Sequence, residues 1–212
     1  MPLNLETARQ WYPRNDPVHG FDHIERVYRM AERLARQSGA DLEIVRAAAL
    51  LHDIEGSHPQ GEGRGDHHYQ SAELAAEVLR KEGWDEARIA AVQHCIRAHR
   101  YRDRREPPAT PEAMVLFDAD KLDVLGAVGV VRVLGYALQA GQPAYAPPSA
   151  RFLESGEEEP GEPHSAYHEF LFKLRHVRER LFTPAARQIA EQRHACLEQF
   201  FARLISEFNG DS

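Results

Sequence analysis

The sequence predicts an all-α protein, and three observations predict it. Apolar residues recur at steps of three and four along most of the chain. Glycine, proline and capping residues fall where those periodic stretches begin or end. No run of four or more residues alternates convincingly in the manner of a β-strand.

Ile24, Val27, Tyr28, Ala31, Leu34 and Ala35 form the first apolar stripe. Ile44, Val45, Ala48, Leu51 and Ile54 form a second, and Leu74, Ala75, Val78 and Leu79 a third. Gly83, after Lys81-Glu82, is placed to cap the third helix at its C-terminus. Asp85 can cap the next, which carries Ile89, Val92 and Ile96. Thr110-Pro111 and Thr183-Pro184 each read as an N-cap with proline at the first helical position. Two amphipathic helices are expected at the end, over Ala166–Phe182 and Pro184–Phe208. Two stretches interrupt the helices. Glu55–Asp66, with several glycines, reads as a loop after a helix end. Gly141–Pro163, rich in Pro, Gly and Glu, reads as a linker or as a flap over a site. Tyr145 is the residue of this segment best suited to stack on a base.

With 212 residues, one domain over 1–212 is expected, its C-terminal helices from 164 to 208 packing on the bundle. The charge balance, 26 basic against 33 acidic residues for a net of −7, argues against a general nucleic-acid coat or an acidic-membrane binder. Two cysteines do not make a disulfide framework, and a reducing cytosol fits them. Met1 to Gln10 lacks the pattern of a secretory signal, and Val124–Leu138, interrupted by Arg132, is short for a membrane span. A cytoplasmic protein is expected, and the sequence leaves self-association open.

Twelve histidines are the unusual feature. His52-Asp53 stand together at the end of an apolar helix, with His23 upstream and Asp120 downstream on other helices. Adjacent side chains on a helix diverge by about 100°, so this pair can grip one ion only near a helix end. Two imidazoles and two carboxylates suit Mn, Fe, Co, Ni or Zn better than Ca or a thiolate-loving metal.

His23-Ile-Glu-Arg26-Val27, then Ala48-Ala49-Leu50-Leu51-His52-Asp53, then Asp118-Ala-Asp120-Lys121-Leu122-Asp123 resembles the HD-domain metal-dependent phosphohydrolases. Gly126-Ala127-Val128-Gly129, His168-Glu-Phe-Leu-Phe-Lys173-Leu174 and Ile189-Ala-Glu-Gln-Arg193-His194 extend the likeness to a small bacterial branch, over roughly residues 16 to 208. The resemblance implies a compact helical bundle around a metal held by His23, His52, Asp53 and Asp120. It implies one divalent ion (Mn, Fe, Co, Ni, Zn or Mg), with a second as the alternative, and metal-activated hydrolysis of a small phosphorylated molecule, a nucleotide by class. Neither a membrane nor a nucleic-acid polymer is expected as partner.

In the family this chain resembles, the ligand is the aspartate immediately before the basic-Leu pair, here Asp120; Asp118, two residues away, faces elsewhere and reads as a residue supporting the ligands from behind or as a structural hydrogen bonder. Arg26, on the face of His23, is expected to grip phosphate, with Lys121 as a second cation. His19, His67 and His99 are expected as substrate contacts, although two-metal relatives place ligands at the positions of His67 and His99. Relatives carry an acidic residue three positions after the HD aspartate; here that position is Gly56, which leaves Glu55, Asp123 or the ion alone for proton transfer. His58, His94, His164, His176 and His194 read as surface or structural. A non-catalytic sensor of metal or nucleotide, and a di-iron oxygenase, are the competing functions.

Overall fold

The structure is a computed structural model and describes residues 3–12, 20–55, 67–102 and 105–211. His19, Gly56 and His58 lie outside the described residues. Among those described there are ten α-helices and no strand, as the periodicity predicts. No single helix among them is long and apolar enough to cross a membrane. The chain divides into two compact units, residues 1–123 with 181–186, and residues 124–180 with 187–212.

The first unit contains α1 (Leu5–Ala8), α2 (Phe21–Ser38), α3 (Leu42–Leu51), α4 (His67–Lys81), α5 (Glu86–Ala98) and α6 (Pro111–Leu122). Helix α3 packs against α2, α4, α5 and α6. Its sequence explains that central position: Val45 and all of Ala47 to Leu51 are buried, so it is apolar on every side over its last turns. The neighbours turn single stripes inward, Ile24, Val27, Ala31 and Leu34 from α2 and Ile89, Val92 and Ile96 from α5. The expected caps are present. Asp85 accepts from the Arg88 amide at 3.0 Å, and Thr110 from the Ala113 amide at 3.2 Å. Gly83 sits at φ +80°, where the Trp84 amide reaches the Leu79 carbonyl at 3.0 Å, the bonding of a Schellman stop.

Asp118 fastens the 181–186 strap to α6. Its Oδ1 accepts from the Phe182 amide at 2.9 Å, and its Oδ2 accepts from the Thr183 amide and hydroxyl, both at 2.7 Å. Asp118 is fully buried and satisfied, which is the structural role its position on α6 implied.

The second unit holds α7 (Gly126–Gln139), α8 (Ala150–Ser155), α9 (Ala166–Phe172), a 3₁₀ segment (Leu174–Arg180) and most of α10 (Pro184–Asn209). Phe170 and Phe201 stack in its core with ring centroids 4.5 Å apart. The Gly126-Ala127-Val128-Gly129 stretch has a steric reason. A Cβ on Gly129 would sit 2.3 Å from the Val124 carbonyl oxygen, so only glycine lets the chain turn into α7 there.

Two expectations are corrected in this unit. The single helix expected over 166–182 ends at Phe172, and 3₁₀ geometry follows over Leu174–Arg180. Leu174 and Val177 are the buried residues of that segment, and their spacing of three matches three residues per turn. The 141–163 segment is not bare loop. It contains α8, capped by the Ser149 hydroxyl at its start and by Gly156 at φ +73° at its end. The carboxylate of Glu162 gathers the segment. It accepts from the Ser149 amide and hydroxyl and from the Glu159 amide, each at 2.7 Å, and from His168 Nε2 at 3.0 Å. Tyr145 is packed against Tyr167 and Phe208, with centroids 5.5 and 5.1 Å away, and its ring is therefore engaged within this unit.

Candidate metal centre

His52 and Asp53 lie just past the end of α3, where the backbone leaves the helix. Two contacts fix that end. The Ile54 amide bonds the Leu51 carbonyl at 3.4 Å rather than that of Leu50. The Leu50 carbonyl instead accepts from the buried Tyr12 hydroxyl at 2.7 Å. Sequence reasoning missed Tyr12, because no local pattern ties it to a helix 38 residues away.

Around this helix end three imidazoles turn the same way. His52 Nδ1 lies 2.9 Å from the Ala49 carbonyl, and His99 Nδ1 lies 2.5 Å from the Ile96 carbonyl. His23 Nδ1 lies 2.7 Å from Asp123 Oδ2. Carbonyls and carboxylates only accept, so each Nδ1 carries the proton. In the neutral ring each Nε2 then offers a lone pair to the interior. His52 Nε2 and Asp53 Oδ1 are buried without a hydrogen-bond partner among the described residues.

The carboxylates meet those lone pairs. His23 Nε2 is 3.5 Å from Asp120 Oδ1 and 3.9 Å from Asp53 Oδ2, while His52 Nε2 is 3.7 Å from Asp53 Oδ2. The other oxygen of Asp53 faces His67 and His99, whose Nε2 atoms stand 3.6 and 3.5 Å away. Donor atoms of His23, His52 and Asp120, and separately of His52, Asp53 and His99, all lie within 4.8 Å of one another. Lys121 donates to Asp120 Oδ2, but among the described residues the Nε2 lone pairs of His23 and His52 face the oxygens of Asp120 and Asp53 with no proton between them, a repulsion that a cation would relieve. The residues fit a divalent metal ion on that ground.

The charges agree with this arrangement. Burial alone would raise the Asp53 carboxyl, but the imidazoles of His52, His67 and His99 outweigh it and hold it well below the usual range. Asp120 is likewise buried, yet Lys121 first, and then His23, His99 and His52, hold it low. Burial, with repulsion from His52 and Lys121, lowers His99 against the pull of Asp53 and so favours the neutral ring that a metal needs.

The remaining expected site residues are placed as follows. Lys121 is buried, paired with Asp120, and its ammonium lies 5.5 Å from the centre of the Phe117 ring. Arg26 does not present its fork to the centre. Its Nε and Nη2 donate to Asp123 at 2.8 and 3.1 Å, and its Nη1 donates to Asp22 at 2.5 Å. Asp123 is not a free base either, because its two oxygens are shared between Arg26 and His23. Glu55 is exposed and lines a shallow depression with Tyr69, Gln70, Glu73 and Leu74, its amide donating to Ser71 Oγ at 3.2 Å. Its carboxylate is not among the converging donors. Of the histidines read as surface or structural, His94 bonds Glu106 at 2.6 Å and His164 bonds Glu158 at 2.5 Å. His176 and His194 pair with Glu179 and Glu198 at 3.5 and 3.1 Å.

Comparison with known proteins meets this geometry. The HD domain family matches residues 20–125, the span from α2 to just past α6 that carries every converging donor. The Bacillus subtilis protein YpgQ is 30% identical over 195 residues, covering 91% of this chain and 85% of YpgQ. A crystal structure of YpgQ in complex with ADP superposes with a TM-score of 0.73 at 28% identity, covering 99% of this chain and all of that one. An HD-superfamily hydrolase from Bacillus thuringiensis, 26% identical, covers 97% of this chain and 96% of its own with a TM-score of 0.68.

Proposed function

This chain belongs to the HD-domain family, and on that premise we propose that it hydrolyses a phosphoester or phosphoanhydride bond of a small phosphorylated molecule. A nucleotide is the substrate class, and His23, His52, Asp53 and Asp120 hold one divalent metal ion. The observation that supports this reading is that His52 shares one group of donor atoms with His23 and Asp120 and a second with Asp53 and His99, each within 4.8 Å, with His52 Nε2 and Asp53 Oδ1 buried and without a hydrogen-bond partner among the described residues. A divalent ion held there supplies Lewis acidity and a bound water acidified toward neutral pH. The protein's own part is to hold that ligand set rigid. The backbone carbonyl of Ala49 and the carboxylate of Asp123 keep His52 and His23 in the metal-binding tautomer. Lys121 takes one oxygen of Asp120 and leaves the other toward His23. His67 and His99 stand at the opposite oxygen of Asp53, on the side where a substrate would meet the ion. The ADP complex of YpgQ supports the nucleotide class. The two free cysteines, one of them buried, fit the reducing cytosol in which such substrates are found.

One observation favours a second reading of the same centre. Asp53 turns one oxygen to each histidine group, so His67 and His99, together with Asp53, would hold a second ion. Two measurements test these readings. A panel of nucleoside mono-, di- and triphosphates is assayed for phosphate and pyrophosphate release with Mn, Co, Ni and Mg. Turnover of a nucleotide that stops with chelator supports the hydrolase, and full metal loading without turnover leaves a metal or nucleotide sensor. Elemental analysis of the purified protein separates one ion per chain from two.

A further inference from the structure

The guanidinium of Arg26 sits beside the metal centre but spends its fork on a carboxylate of the protein. Nε and Nη2 grip the two oxygens of Asp123 in the bidentate manner, at 2.8 and 3.1 Å. Asp123 Oδ2 then accepts the Nδ1 proton of His23 at 2.7 Å. Asp123 is almost wholly enclosed, with 4% of its side chain exposed, against 30% for Arg26. The three residues form a chain from the surface to a metal-ligand candidate.

We propose that Arg26 is a positioning residue for the metal centre: by locking Asp123 it fixes the tautomer and direction of His23, and it does not bind substrate phosphate. The proposal rests on the metal reading above. Three features of the geometry argue it. The fork that a phosphate would need is already occupied, and Nη1 is held by Asp22 at 2.5 Å. A buried carboxylate without a fixed cation would be free to rotate. Asp123 lies three residues after Asp120 on the same face, and its amide bonds the Asp120 carbonyl at 3.1 Å. Released from Arg26, Asp123 could turn away from His23 and compete with Asp120 for the cation. The His23 ring would then take either tautomer, and in one of them a proton blocks the Nε2 that faces the centre.

The two roles for Arg26 differ in what its removal does. A phosphate grip predicts intact metal binding and impaired turnover, whereas a positioning role predicts impaired metal binding before any substrate is present. Mn²⁺ affinity is measured by calorimetry on the full chain for wild type, Arg26→Ala, Arg26→Lys and Asp123→Asn. Loss of a partner that orients a ligand weakens metal binding by about 10–100-fold, and Arg26→Ala and Asp123→Asn should both fall in that range. Arg26→Lys, which keeps the charge without the fork, should recover part of the loss and also provides a folded comparison. The double variant should bind no more weakly than the worse single one, because both break the same chain. Long-range ¹H–¹⁵N spectra of the metal-free protein add a readout independent of activity. His23 should be a single Nδ1–H tautomer in wild type and a mixture in Arg26→Ala. Wild-type Mn²⁺ affinity in Arg26→Ala would overturn the proposal and return Arg26 to substrate binding. If wild type itself binds no Mn²⁺, the metal reading fails, and an unchanged His23 tautomer in Arg26→Ala then overturns this proposal separately.

Discussion

His52 and Asp53 are consecutive in the chain, yet His52 Nε2 and Asp53 Oδ2 lie 3.7 Å apart and face one point. Inside a helix their side chains would diverge by about 100°. They converge because α3 stops at Leu51 and Asp53 follows in a turn. The helix end is therefore part of the site, and Tyr12, which takes up the Leu50 carbonyl, helps to keep it there.

Removing the metal should cost stability as well as activity. A ligand present at 100 times its dissociation constant stabilises a fold by about 2.7 kcal/mol. Protein purified without chelator should contain metal and melt at a higher temperature than the chelator-treated form. His52→Ala should lack the metal and show no chelator effect on melting, because its Nε2 is one of the converging donors. Equal melting of loaded and stripped wild type would contradict the assignment.

Metal affinity should fall as the medium is acidified. Imidazole binds a cation only when neutral, so protons compete as pH drops through about 6. Burial lowers His99 and so keeps it neutral further into acid than a free histidine. Titrating Mn²⁺ at several pH values tests this, and an affinity flat from pH 8 to 5 would rule out imidazole ligation.

These expectations show what the sequence made legible. The sequence pattern and family likeness of His23, His52, Asp53 and Asp120 singled out four residues that the fold brings near one another, with His23 Nε2 3.5 Å from Asp120 and 3.9 Å from Asp53, and His52 Nε2 3.7 Å from Asp53. Helical periodicity also placed Arg26 on the face of His23. It could not say what that face meets, because Asp123 is 97 residues further along and the pairing is purely tertiary. Tyr12 was invisible for the same reason. Helix α8 went unread because its six residues bury only Phe152, too little for a periodic signal.

Replacing Asp118 should destabilise the first unit without removing a ligand. Asp118→Ala strands both donors of Thr183 in a buried setting and also removes the acceptor of the amide of Phe182, a residue that is itself exposed. Each unsatisfied buried group costs about 1–3 kcal/mol, and urea denaturation should show a loss of at least a few kcal/mol. Asp118→Asn, which retains one acceptor, should lose less. Wild-type stability of Asp118→Ala would mean that the strap holds by packing alone.

The Glu162 clamp has its own pH signature. Amides of Glu159 and Ser149, which outweigh burial, and the His168 imidazole lower the Glu162 carboxyl from 4.5 to about 2. A group lowered on folding stabilises the fold fully above its unfolded value. That contribution is lost as pH falls from about 4.5 through about 2. NMR shifts of the Ser149 and Glu159 amides should therefore titrate with a midpoint near 2 rather than near 4.5, and Glu162→Gln should abolish the transition.

The bond between His23 and Asp123 spans 100 residues of sequence. At synthesis rates of about 5–20 residues per second, about 5–20 s separate the emergence of its two ends. For most of that interval His23, His52 and Asp53 are outside the ribosome, but Asp120 and the group that orients His23 are not. The nascent chain thus carries loose imidazoles and a carboxylate with no enclosed point to hold an ion.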